Sequence, residues 1–116
     1  MAWIKTIDED KATDYLKTYY KKYGDPFEGV PNILKALSLK PDSLRRHYDL
    51  FKHLTTGKSR LSRMQREMIG VVTANANGCD YCLRHHKKIL YQLTKNPFLI
   101  GAIESDYHEA DRVVQK

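Results

Sequence analysis

The sequence predicts an all-α fold, a compact helical bundle of about five or six helices. Three observations predict it. Apolar residues recur at intervals of three and four in one segment after another. Stop and start signals at Gly24, Pro41, Gly57, Gly78 and Pro97 divide the chain into helix-sized pieces. No segment alternates apolar and polar residues between turn signals, as a half-buried strand would. The 116 residues suit one domain, so residues 1–116 read as a single helical unit. Within it, residues 1–30 form an N-terminal arm and helix, and 31–116 form a core that holds a Cys-x-x-Cys pair.

Taken in order, residues 1–7 read as an extended arm. Asp8 can cap a helix running to about Tyr23, with Ala12, Tyr15, Leu16, Tyr19 and Tyr23 at helical spacing. Gly24 stops it and Asp25-Pro26 turns the chain. Val30-Pro31-Asn32 leads into a short helix through Ile33, Leu34, Ala36 and Leu37. Pro41 opens a third helix with Leu44, His47, Tyr48, Phe51 and Leu54 on one side; His47 and His53 there read as ordinary surface or core histidines. Ser62-Arg63-Met64-Gln65 has the form of a capping box, a hydroxyl at the cap and an amide three residues on. The helix it starts runs to about Ala76, with Leu61, Met64, Met68, Val71 and Val72 as its apolar stripe. Asn77-Gly78 ends it. A fifth helix begins at or near Cys79 and runs to about Leu93, burying Ile89, Leu90 and Leu93. After Asn96-Pro97 come one or two short helices, with Ile100, Ile103, Tyr107 and Ala110 inward.

Composition narrows the function. No apolar run approaches the roughly 20 residues of a membrane span, and the N-terminus lacks the apolar stretch of a secretory leader. The reading is therefore a cytoplasmic protein with no membrane partner. The net charge is +6, but Lys21-Lys22, Arg45-Arg46, Lys58, Arg60 and Lys87-Lys88 are scattered and no nucleic-acid motif organises them. They read as a solvated surface.

The two cysteines are three residues apart, which in a cytosolic protein points to redox chemistry or metal binding rather than a structural staple. On one helix, Cys79, Cys82 and His86 share a face. The pair sits at a helix start, where unpaired N–H groups favour the thiolate. His86, one turn on, can take the proton of Cys82 as a general base. Glu67 lies in the preceding helix, flanked by Met64 and Val71. It can face His86 across a short-loop helical pair, or it can be a surface glutamate beside Arg63 or Arg66. Other readings stay open. A zinc site could use Cys79, Cys82 and His85 or His86, but structural zinc takes four ligands and no second cysteine pair exists. A c-type haem needs histidine directly after the second cysteine, where Leu83 stands. Two inert thiols are the plain alternative.

The stretch Leu61–His86, LSRMQREMIGVVTANANGCDYCLRHH, resembles the AhpD-like alkylhydroperoxidases of the carboxymuconolactone decarboxylase superfamily. Within them it is most similar to the branch of uncharacterised peroxidase-related proteins. The shared pattern is a glutamate, a Cys-x-x-Cys twelve residues later, and a histidine four residues after the second cysteine, here Glu67, Cys79, Cys82 and His86. The resemblance implies an all-helical fold and a thiol-dependent peroxidase that reduces alkyl hydroperoxides in antioxidant defence. It implies Cys82 as the peroxidatic cysteine, Cys79 as the resolving one, His86 as the base and Glu67 as its support. It implies no cofactor and no metal, an external dithiol reductant such as a lipoyl-bearing protein, and a homo-oligomer, trimer or hexamer. Two features depart from the pattern. Tyr81 stands where well-studied members carry a relay histidine; a phenol can donate a hydrogen bond but is a poor base near neutrality. His85, about 100° round the helix from His86, reads as facing solvent or a neighbour. About 30 residues follow His86, fewer than in relatives of this branch. A disulfide oxidoreductase indifferent to peroxide, or a non-enzymatic oligomeric redox switch, would use the same pair.

Overall fold

In the computed structural model the described residues, 2–109, form six α-helices and two short 3₁₀ turns, with no strand among them. They divide between Leu54 and Thr55 into two compact units.

The first unit holds a 3₁₀ turn (Glu9–Lys11), helix α1 (Asp14–Tyr23), helix α2 (Asn32–Lys35) and most of helix α3 (Pro41–Thr56). The single helix expected from Asp8 to Tyr23 is interrupted. Ala12 and Thr13 are extended, and Asp14 opens α1 with φ +50°. Aspartate is among the non-glycine residues that best tolerate this left-handed region. The break puts Ala12 into the core beside Leu16, Tyr20, Tyr23, Val30, Leu34 and Leu44. It also turns the inward face of α1 to Leu16, Tyr20 and Tyr23 and leaves Tyr15 at 75% exposure. The arm is tied down: the Ile7 N–H donates to Ser38 Oγ at 2.9 Å, and the Tyr20 hydroxyl donates to the Ile7 carbonyl at 2.7 Å. Gly24 is required where α1 ends, because a Cβ there would sit 2.7 Å from the Tyr20 carbonyl. In α3, Leu44 is fully buried and Tyr48 packs on the cluster, but Phe51 and Leu54 are exposed.

The second unit holds helices α4 (Arg63–Ala76), α5 (Asp80–Thr94) and α6 (Pro97–Ser105), and a closing 3₁₀ turn (Tyr107–Glu109). The capping box forms as the sequence predicts: Ser62 Oγ accepts from the Gln65 N–H, and the Gln65 side chain accepts from the Ser62 N–H. After Ala76 the chain reverses through Asn77 and Gly78, with Gly78 at φ +61°. Helices joined by so short a link pack as antiparallel neighbours. The Cys79 N–H then bonds the Ala74 carbonyl at 3.0 Å, fixing the start of α5 against the end of α4. Lys95, at φ 52°, ends α5, and the Asn96 side chain caps α6 with Pro97 in its first turn. Val71, Leu90, Leu99, Ile100 and Ile103 make the core, lined by Met64, Met68, Val72 and Leu83. Lys87 Nζ pairs with Glu104 Oε2 at 2.5 Å, and Asn75 donates to the Glu104 carbonyl at 2.8 Å, so α6 is tied to both neighbours. Leu61, Leu93 and Tyr107, expected inward, are exposed because each lies at or beyond a helix end. Ala110 lies outside the described residues. Among the described residues no helix is long and apolar enough to cross a membrane.

Candidate redox site

The site lies wholly within the second unit. Cys79 is the N-cap of α5, and its Sγ accepts the Cys82 N–H at 3.3 Å. The two sulfurs form a disulfide with Cα atoms 5.3 Å apart, a normal span for such a bond. Both cysteines are half-buried, so the disulfide keeps a face to solvent. Its place in the first turn matters chemically. The N–H groups there have no helical partner, and together with the helix dipole they favour negative charge on a released sulfur.

His86 sits one helical turn after Cys82, on the same side of α5. Its Nδ1 lies 2.7 Å from Glu67 Oε2 across the α4–α5 interface. Arg63 Nε, one turn before Glu67 on α4, donates to Oε1 at 2.8 Å. Glu67 is therefore a two-sided acceptor at 1% exposure, while Arg63 and His86 both keep contact with solvent. Burial pushes the Glu67 carboxyl up. The hydrogen bonds from His86 and Arg63 and their charges outweigh it, holding the group below the usual glutamate range. An ionised carboxylate only accepts, so the Nδ1 of His86 must carry a proton. In the neutral ring the bare nitrogen is then Nε2.

Gly70 completes the arrangement. It lies one turn after Glu67, and a Cβ there would come within 2.6 Å of His86 Nδ1 and 2.7 Å of Cγ. The imidazole thus lies against bare backbone, and this close approach lets Nδ1 reach the carboxylate.

The structure brings Glu67, His86 and the cysteine pair onto one helical interface. Tyr81, also singled out by the sequence, is exposed on the first turn of α5. His85 is exposed and meets the His86 ring edge-on at a centroid distance of 5.5 Å. Among the described residues no group of three histidine, cysteine or acidic side chains is placed to hold a metal ion. Two contributors escaped the sequence reading. From spacing, Arg63 is no more than a neighbour of a surface glutamate. Gly70 carries a signal of its own, since a glycine inside a helix costs about 1 kcal/mol relative to alanine and so marks a local need. A groove of about 370 Å³ lined by Leu61, Gln65, Met68, Ile69, Val72 and Tyr107 lies elsewhere. At 100° per residue those α4 positions point away from the face that carries Arg63, Glu67 and Gly70, so the groove is not the approach to the disulfide.

Residues 41–96 match the carboxymuconolactone decarboxylase family. An uncharacterized peroxidase-related protein from Silicibacter sp. is 32% identical, with a TM-score of 0.71 over 83% of this chain and 50% of its own. An uncharacterized peroxidase-related protein with an alkylhydroperoxidase AhpD core, from Ralstonia eutropha, is 28% identical, with a TM-score of 0.76 over 93% of this chain and 57% of its own. This chain thus spans about half the length of either. An alkylhydroperoxidase AhpD core from Rhodospirillum rubrum, at 23% identity, shares the fold with a TM-score of 0.73 over 99% of this chain and 90% of its own. No curated protein matches the sequence.

Proposed function

The chain belongs to the carboxymuconolactone decarboxylase superfamily as an AhpD-like member, and from that premise we propose that it is a thiol-dependent peroxidase acting on alkyl hydroperoxides. The observation that carries the reading is the 2.7 Å contact between Glu67 Oε2 and His86 Nδ1, on the helix whose preceding turn holds Cys82. A cysteine pair alone could be inert; a pair one turn from an oriented imidazole has, once reduced, a place to put the thiol proton.

In the reduced protein His86 Nε2 takes the proton of the Cys82 thiol, and Glu67 stabilises the resulting imidazolium. The Cys82 thiolate attacks the distal oxygen of the hydroperoxide. An S–O bond forms as the O–O bond breaks, and the departing alkoxide takes the proton from His86 to leave as alcohol. Sulfur has lost two electrons to the peroxide and is a sulfenic acid. The Cys79 thiolate, stabilised by the Cys82 N–H and the helix start, attacks the Cys82 sulfur. The S–S bond forms and hydroxide leaves with a proton as water. An external dithiol, of the lipoyl type, attacks the half-buried disulfide by thiol exchange and restores both thiols. No cofactor or metal enters these steps. Tyr81, exposed beside the pair, offers a hydrogen bond to an incoming peroxide or reductant. The exposed Leu61, Ile69, Phe98 and Tyr107 suit a homo-oligomer, a trimer or hexamer. Cytoplasmic antioxidant defence, away from nucleic acid and membrane, is the setting this chemistry fits.

The test is titration of the reduced protein with cumene hydroperoxide while free thiols are counted. Both thiols should disappear into one intramolecular disulfide with one equivalent. Cys82→Ser should abolish the reaction, and Cys79→Ser should stop at a trappable sulfenic acid. If peroxide leaves the thiols intact while a small disulfide oxidises them, the protein is a disulfide oxidoreductase and the peroxidase reading fails.

A further inference from the structure

Glu67 is held from two sides, and only one side leads to the sulfurs. The second donor, Arg63 Nε at 2.8 Å from Oε1, does not touch the reacting atoms. It matters because Glu67 is at 1% exposure. A carboxyl in that surrounding gains little from water and would tend to keep its proton, and a neutral carboxyl can both donate and accept. A neutral Glu67 could donate to Nδ1. The imidazole proton would then sit on Nε2, and the nitrogen available to a thiol would already be occupied.

We propose that Arg63 is a positioning residue that fixes the location of the imidazole proton: by keeping Glu67 a carboxylate, it commits His86 to the Nδ1–H tautomer and leaves Nε2 bare for Cys82. This rests on the peroxidase reading only for its consequence in turnover; the tautomer itself can be read without any substrate. Arg63 suits the task. The guanidinium stays charged at any working pH, it lies four residues before Glu67 on the same helical face, and it is partly exposed, so its own desolvation is small. Among the described residues, the ionisable groups facing this centre are Arg63 on α4, which meets Glu67, and His86 on α5, which meets Glu67 and has exposed His85 against its ring. Glu104 on α6 is engaged with Lys87. Arg63 is thus the permanent positive charge at Glu67.

The experiment follows ¹⁵N shifts of the His86 ring together with the pH dependence of iodoacetamide alkylation of Cys82, in a Cys79→Ser background of the full chain. The parent should show the Nδ1–H tautomer near neutrality. Arg63→Met should move His86 to a mixture or to Nε2–H, slow alkylation near neutrality by about tenfold, and shift its profile to higher pH. A positioned base contributes roughly 10²-fold or more, and only part of the population would lose it. Arg63→Lys should restore most of the rate. A folded Arg63→Met protein with unchanged ring shifts and a superimposable alkylation profile overturns the proposal. Should Arg63→Met not fold, the ¹³C carboxyl shift of Glu67 in the parent decides. It must stay that of a carboxylate down to below the ordinary glutamate value of about 4.3; titration at or above that value overturns the proposal. Failure to consume cumene hydroperoxide, with these tautomer results intact, would count against the peroxidase reading alone.

Discussion

Glu67→Gln separates the charge of the buried carboxyl from its shape. The carboxylate accepts two bonds, from Arg63 Nε at 2.8 Å and from His86 Nδ1 at 2.7 Å. An amide has one oxygen and one NH₂ group. With its oxygen toward Arg63, its NH₂ faces His86, which must then accept at Nδ1 and carry its proton on Nε2. The alternative orientation sets NH₂ against the Arg63 N–H, donor to donor, so the first prevails. The Arg63 bond keeps its charged donor but loses the anionic acceptor, and the His86 bond loses the carboxylate altogether; each is weaker by about 0.5–2 kcal/mol, and the variant no longer has a carboxylate to desolvate. The net loss expected near neutrality is about 1–2 kcal/mol. Its pH dependence has a definite sign. The folded Glu67 carboxyl is held below its ordinary value, so the stability it contributes is complete above the unfolded value of about 4.3 and is lost as pH falls through the lowered folded value. Glutamine does not titrate. Urea melts should therefore show the parent ahead at pH 7 and 5, with the gap closing as the pH is lowered through 4 and 3. In the Cys79→Ser background, alkylation of Cys82 at pH 7 should fall about 10²-fold, the lower range for a lost general base. A gap that is flat or widens in acid refutes the electrostatic account. An unchanged alkylation rate refutes the tautomer account.

Other expectations follow from single contacts. Gly70→Val places a branched side chain where a Cβ alone would be 2.6 Å from Nδ1; the ring must leave Glu67, and Cys82 alkylation should fall to the rate of His86→Ala while circular dichroism stays helical. Ser62→Ala removes one arm of the capping box at α4 and should lower stability by about 1 kcal/mol in urea melts, without touching thiol reactivity. Leu90→Ala empties a site at 0% exposure between α4, α5 and α6 and should cost about 2–5 kcal/mol, read as a lower urea midpoint at unchanged slope.

The bounds of α4 and α5 and the start of α6 were legible because each is set by local chemistry. Ser62 with Gln65 caps one helix, Gly78 reverses the chain at positive φ, and Asn96-Pro97 closes one helix and opens the next. The start of α1 was not, because the break at Ala12–Thr13 serves a tertiary contact that no propensity encodes: Ala12 reaches the core only if the chain is extended there. Four tyrosines at 15, 19, 20 and 23 also make two apolar stripes equally plausible on paper, and packing selects the one through Tyr20. At the site, spacing alone put Cys79, Cys82 and His86 on one face. The burial of Glu67 depends on how α5 lies on α4, which periodicity cannot supply, and so does the use of Gly70. Arg63 and Glu67 are a routine i,i+4 pair until the glutamate is known to be buried.

That burial is the strongest sign that position 67 answers to chemistry rather than to stability. Met64 and Val71 flank it on the same side of α4, and the five-residue core beneath could accommodate an aliphatic side chain there. Replacing a buried ion pair by a well-packed apolar group is often neutral or stabilising by about 1–4 kcal/mol. Arg63 and His86 would not be stranded by Glu67→Leu, since both reach solvent. Glu67→Leu should therefore melt at or above the parent's urea midpoint at pH 5, where the carboxylate still contributes. Its His86 ring would lose the proton acceptor that defines the tautomer, and Cys82 would alkylate at the rate seen in His86→Ala. A large loss of stability in Glu67→Leu would instead make the carboxylate a structural necessity of this small core, and its alignment with His86 would need no redox explanation.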